Sequence, residues 1–104
     1  MLVAISISPS GTPLAGSPAP DGGVSDAVAA ALQVVRDSGL PHELNAMFTN
    51  IEGEWDEVMA VVKRAVEVVG ERYPRVGLVL KADVRPGWDG QLTAKVERVE
   101  ERLR

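Results

Sequence analysis

Apolar residues recur at two different spacings along this chain, and the spacing alternates. From Leu2 to Ser8 they alternate one by one: Val3, Ile5 and Ile7 on one side, Ala4, Ser6 and Ser8 on the other. That is a strand with one buried face, and Pro9 should stop it. Val24 to Ser38 changes to the helical spacing, with Val24, Val28, Ala31, Leu32 and Val35 on one stripe. Asp21 or Ser25 can cap its start. Gly39, Leu40 and Pro41 mark its end: a left-handed position, an apolar residue to pack back, and a stop. His42 to Ala46 alternates again, and Thr49 to Glu52 returns after a turn at Met47 and Phe48. Asn50 and Glu52 then share one face, and Ile51 takes the other. Glu54 to Arg72 has a broad apolar stripe headed by Trp55, with acidic residues first and basic residues later, as a helix dipole favours. Val76 to Val84 is the longest apolar run and reads as strand. After a turn over Pro86 to Gly90, Leu92 to Arg104 carries a narrow stripe of Leu92, Val96, Val99 and Leu103. Its other faces are charged, so this helix should pack on one side only.

The order is β-α-β-β-α-β with a terminal helix. That predicts an α+β, ferredoxin-like sandwich. Right-handed crossovers place both helices on one face of a four-stranded antiparallel sheet, with the first strand between the third and the fourth. At 104 residues the chain is expected to form one domain, 1–104.

Composition narrows the chemistry. The four aromatic residues are Phe48, Trp55, Tyr73 and Trp88, so the core must be aliphatic, with Trp55 expected inside it. A net charge of -4 argues against nucleic acid, whose phosphates need a basic surface. No cysteine means no disulfide, no thiolate metal site and no cysteine nucleophile. One histidine, His42, excludes a two-histidine metal site within the chain. No apolar run approaches the roughly 20 residues of a membrane span, and the start does not read as a signal peptide. The expected location is cytoplasmic. The Gly- and Pro-rich stretch over 10–23 is a long loop, either a mobile surface segment or a lid over the end of the first strand.

The helices should cover the apolar strand faces. The opposite face then collects Ser6, Ser8, Glu43, Asn45, Asn50, Glu52, Lys81 and Asp83. One reading is a solvated face on which Lys81 pairs with Glu52 or Asp83, contributing about 0–1 kcal/mol. The sharper reading starts from Glu52. A carboxylate within a sheet is costly unless something pairs with it, and a small cationic ligand is the expected partner. No nucleophile–base pair and no phosphate loop is visible.

Several blocks together look like one family. They are Ser6-Ile7-x-Pro9-x-Gly11, Ser38-Gly39-Leu40, Met47-x-Thr49-x-Ile51-Glu52-Gly53-Glu54-x-Asp56-Glu57-Val58, Lys81-x-Asp83-x-Arg85 and Lys95-Val96-x-x-Val99-Glu100. In this order and spacing they resemble the thiamine-binding protein family, the YkoF-like group of small ferredoxin-like proteins. The resemblance covers nearly the whole chain. It implies a ferredoxin-like fold, assembly into dimers and tetramers, and binding of thiamine or its hydroxymethylpyrimidine moiety without catalysis. It implies no resident cofactor. A ligand site on the open sheet face would carry over to Ser6, Ser8, Thr49, Asn50, Glu52 and Asp83. Two other readings stay open: a small isomerase or oxygenase using Glu52 as its base, and an oligomeric regulatory module without a small ligand. An open sheet face and the exposed aromatic turn point to a homo-oligomer, and the apolar Met47 and Phe48 at that turn suggest burial by a partner subunit or a ligand.

Overall fold

A computed structural model describes residues 1–14 and 25–104, with Ser25 described in its backbone only. The elements run β1 (Leu2–Ser10), α1 (Ser25–Asp37), β2 (His42–Leu44), β3 (Thr49–Glu52), α2 (Trp55–Gly70), β4 (Arg75–Asp83) and α3 (Gln91–Leu103). The sheet order is β2-β3-β1-β4, antiparallel throughout. This is the ferredoxin-like α+β arrangement that the element order predicts. The lid reading of loop 10–23 depends on residues 15–24, as do the Asp21 cap and the start of the first helix at Val24. These lie outside the described residues.

The register of β1 organises both faces. Val3 stands opposite Ile51 and Ala82, and Ile5 opposite Thr49 and Leu80. These residues face the helices. Val3, Ile5 and Ile51 join Val35 of α1 and Val58 and Val62 of α2 in one buried cluster. A second cluster joins the two helices where their side chains are small: Ala27 and Ala31 meet Ala65 and Val69, closed by the buried Tyr73. Alanines let the helix backbones approach closely, at the cost of less apolar bulk beneath them.

Several local details differ from the sequence reading. Pro9 does not end β1. Beyond Ile5 the strand pairs with β4 alone, so a residue without an N–H is tolerated there. β2 ends at Leu44, not Ala46, because Asn45 turns the chain: its Oδ1 accepts from the Met47 and Phe48 N–H groups at 2.9 and 2.8 Å. The turn chemistry that Met47 and Phe48 lack is therefore supplied by Asn45. Trp55 is not core. It is 55% exposed at the first position of α2, whose buried stripe begins at Val58. At the end of α1 the expected signal holds, with Gly39 at a φ of +75°. At the start of α2 the acidic residues expected for the dipole include a reciprocal capping box of Glu54 and Glu57, which the sequence reading did not name.

The last helix departs most from expectation. The spacing of its apolar stripe predicts packing, yet from Val96 onward every residue of α3 is exposed. The molecule is accordingly elongated, 50 Å along its longest axis and 20 Å along its shortest. No helix among the described residues is long and apolar enough to cross a membrane.

The contrast between Ile51 and Trp55 is directly testable. Ile51→Ala removes a fully buried side chain and should lower the unfolding free energy by about 2–5 kcal/mol. Trp55→Ala, the larger truncation, should cost about 0.5 kcal/mol or less. Urea unfolding of the two variants gives the order; the reverse order would refute this burial pattern.

Candidate functional site

Alternation along three neighbouring strands decides which polar side chains can meet. On the open face, Ser6 lies opposite Val79, Ser8 opposite Gly77, and Ala4 between Asn50 and Lys81. Leu2 lies between Glu52 and Asp83. Five of the six expected site residues are thus on this face. Thr49 is not. It is one residue away from Asn50 in an extended strand, so it shares the helix-covered face with Ile51 and is buried.

The five do not form one polar cluster. Glu52 and Asp83 flank the first turns of α3, and that helix takes both carboxylates. Glu52 accepts from the backbone N–H of Gln91 at 2.8 Å and from that of Leu92 at 3.3 Å. A helix leaves its first N–H groups without intrahelical partners and carries positive potential there. The residue preceding α3 is Gly90, with a φ of +67° and no side chain to cap with. Glu52 supplies the cap from across the sheet and is thereby satisfied while buried. Its partners here are these two amides, where the sequence reading expected a small cationic ligand. Asp83 pairs with Lys95, one turn further along α3. The Lys95 ammonium, through that hydrogen bond and its charge, holds the Asp83 carboxyl below the ordinary Asp range. Ser6, Ser8 and Asn50 remain on the strand surface.

A concavity opens on the other face. About 150 Å³ lies between α1, the sheet and the β2–β3 hairpin. Its walls include Ile5 and Ile7 of β1, Val28, Ala31, Leu32 and Val35 of α1, and Ala65 of α2. The hairpin contributes Leu44, Asn45, Met47, Phe48 and Thr49. The physical origin is legible: alanines under the helices and few aromatic residues leave the seam unfilled. A sealed, empty void of this size would cost on the order of 3–4 kcal/mol at about 24 cal/mol per Å³. This one is half open, and Leu44 and Met47 beside it are exposed. Thr49 is the one buried polar residue in its wall. The one signal in the sequence is the apolar turn at Met47 and Phe48; the other wall residues come from separate elements and most read as core.

A smaller aromatic corner lies at the end of the sheet, where the Arg85 guanidinium stacks 3.4 Å from the Trp88 ring centre. His42 is exposed, its Nδ1 2.8 Å from the Leu40 carbonyl oxygen, away from the cavity walls. Among the described residues, no group of three His, Cys, Asp or Glu could hold a metal ion.

Two outcomes follow for the α3 anchor. Glu52→Leu leaves two amides of α3 uncapped. It should raise hydrogen exchange at Gln91 and Leu92 while protection at Val3 and Ile51 persists; equal loss throughout would mean Glu52 supports the whole sheet. The Lys95–Asp83 contact should be intact at neutral pH. A depressed folded pKa means its contribution is lost as pH falls through that value. The Asp83 carboxyl should therefore titrate below about 3.9 by NMR, and Lys95→Met should bring it back up.

The chain matches the family described as "Thiamine-binding protein" over residues 3–100. It is 51% identical to a UPF0045 protein of Mycobacterium bovis over 104 residues, covering 99% of this chain and 94% of that one. It resembles the solved structure of a hypothetical protein of Methanocaldococcus jannascii with a TM-score of 0.79 at 30% identity, covering 96% and 95% of the two chains. A Bacillus cereus domain of unknown function superposes with a TM-score of 0.77 at 30% identity, over 93% and 86%. The blocks singled out in the sequence, the fold and these relatives agree: the chain belongs to the thiamine-binding protein family.

Proposed function

We propose that this protein is a cytosolic, non-catalytic binding protein for thiamine or a related pyrimidine such as hydroxymethylpyrimidine. The observation that carries this reading is the half-open cavity with Thr49 in its wall. A void of about 150 Å³ is the size that takes a single six-membered ring. It is too small for a whole two-ring ligand, so the pyrimidine would enter and the thiazolium would remain at the mouth. The aliphatic wall favours the ring faces, and Thr49 and Asn45 offer hydrogen-bonding groups at its rim. The family description supports the choice of ligand.

A second location keeps the ligand on the open face, against Ser6, Ser8 and Asn50. What counts against it is that α3 already engages Glu52 and Asp83, the two carboxylates of that face expected to hold the ligand. The same engagement weighs against the isomerase or oxygenase reading, which needs Glu52 as a free base.

We also propose that the protein self-associates as a dimer or tetramer. β4 is a nine-residue strand that, among the described residues, has a neighbour on one side only, and Leu78 and Val79 on it are exposed. A long apolar edge of this kind is a template for a second strand, and a two-fold operator would pair it with itself.

Titration calorimetry with thiamine and with hydroxymethylpyrimidine tests the ligand. Binding of the pyrimidine alone is expected, with Thr49→Val weakening it by about ten-fold and Ser8→Ala, on the open face and outside the cavity wall, leaving it unchanged. The opposite pattern would move the site to the open face. No heat and no thermal shift at millimolar concentrations of either compound would end the ligand reading.

A further inference from the structure

α3 starts anchored and ends without a neighbour among the described residues. Glu52 and Asp83 hold its first turns, while Val96, Val99 and Leu103 beyond them are 53%, 58% and 80% exposed. With Leu92 these residues are spaced by four, three and four. That is a d-a-d-a run of a heptad seam. The same assignment places Lys95 and Arg102 at the g positions, and Thr93 and Glu100 at the e positions. One edge of the seam is therefore cationic, and the other carries Glu100.

This charge pattern distinguishes between the two ways of pairing α3 with a second copy. In an antiparallel pair, g faces g and e faces e. With the four seam residues in register, Lys95 of one copy would then meet Arg102 of the other, cation against cation, and Glu100 would face only Thr93. In a parallel pair, each g residue faces the e residue five positions further along the other helix. Lys95 of one copy then meets Glu100 of the second, and symmetry repeats the contact. Lys95 can serve this contact and Asp83 together, since an ammonium has three donors and its side chain is 43% exposed. An open groove of about 240 Å³ runs along Lys95, Arg98, Val99 and Arg102. It lies on the flank where Glu100 of the second copy would enter.

We propose that α3 pairs in parallel, through the seam of Leu92, Val96, Val99 and Leu103, with α3 of a second copy. Two heptads are too short to hold such a pair alone. The seam therefore rests on the self-association proposed above and adds to its sheet contacts. The projecting arm then has a role in assembly. Its N-terminal anchor at Glu52 sets its direction, and the second copy covers its apolar side.

The chain has no cysteine, so one engineered thiol reports cleanly. In a parallel two-fold pair the two copies of a d residue meet, within the reach of a disulfide. Val99→Cys should give a covalent dimer under mild oxidation, and Glu97→Cys, off the seam, should not. Glu100→Lys should weaken dimerisation by about ten-fold in sedimentation experiments, without changing the unfolding of the dissociated chain. A dimer by light scattering in which Val99→Cys cross-links no better than Glu97→Cys overturns the seam and leaves the association standing. A dimerisation constant unchanged by Glu100→Lys overturns the parallel register. A wild-type monomer at micromolar concentration overturns the association, and the seam with it.

Discussion

A carboxylate buried at the end of a sheet must find donors. In this protein the donors are the first amides of a helix 39 residues further along the chain. Neither group is satisfied locally. Glu52 has no cation beside it in its strand, and α3 begins after a glycine with no side chain to offer. Each supplies what the other lacks, and that exchange places α3 against β3. The Lys95–Asp83 contact adds a second tie on the same side of the helix. Together they fix the first turns of α3 and leave the rest projecting from the body. The elongated outline, the bare apolar stripe and the commitment of Glu52 and Asp83 share this cause.

The two faces of the sheet consequently differ in more than polarity. The outer face has Glu52 and Asp83 tied to α3, while Ser6, Ser8 and Asn50 stay on the strand surface with the exposed Glu43 and Lys81. The inner face is aliphatic and lies beneath helices that meet through alanines. Close approach of the helices and a shortage of aromatic bulk leave a ring-sized concavity beside the β2–β3 hairpin. Asn45 is central to that opening. It ends β2 two residues early and turns the chain with its own side-chain oxygen, so that Met47 and Phe48 need no turn-forming chemistry. A small ferredoxin-like body thus presents a ring-sized cavity on one face and an arm on the other.

Much of the architecture is legible in the sequence because the two backbone periods are local properties. Alternation in Val3, Ile5 and Ile7, the helical stripe of α2, and the stop at Gly39 to Pro41 each follow from residues that touch or nearly touch in sequence. The order of those elements then leaves few topologies, and the observed strand order is among them. The blocks from Met47 to Val58 and from Lys81 to Arg85 suffice to indicate the family. Sequence patterns mislead where a neighbour from elsewhere in the chain decides the outcome. Trp55 heads an apolar stripe in sequence, but the side of α2 that meets the core begins only at Val58. The Val96, Val99 and Leu103 stripe predicts burial, but hydrophobic spacing cannot say against what, and within one chain nothing among the described residues covers it. Closeness in sequence groups Thr49 with Asn50 and Glu52, although a strand sends adjacent side chains to opposite faces. Glu52 is the clearest case. The sequence alone determined that a buried carboxylate there would need a partner, because desolvating a charge is costly wherever it occurs. Only the tertiary structure decided that the partner is the N-terminus of α3, because hydrogen bonds between residues 39 positions apart depend on where the whole chain has brought them.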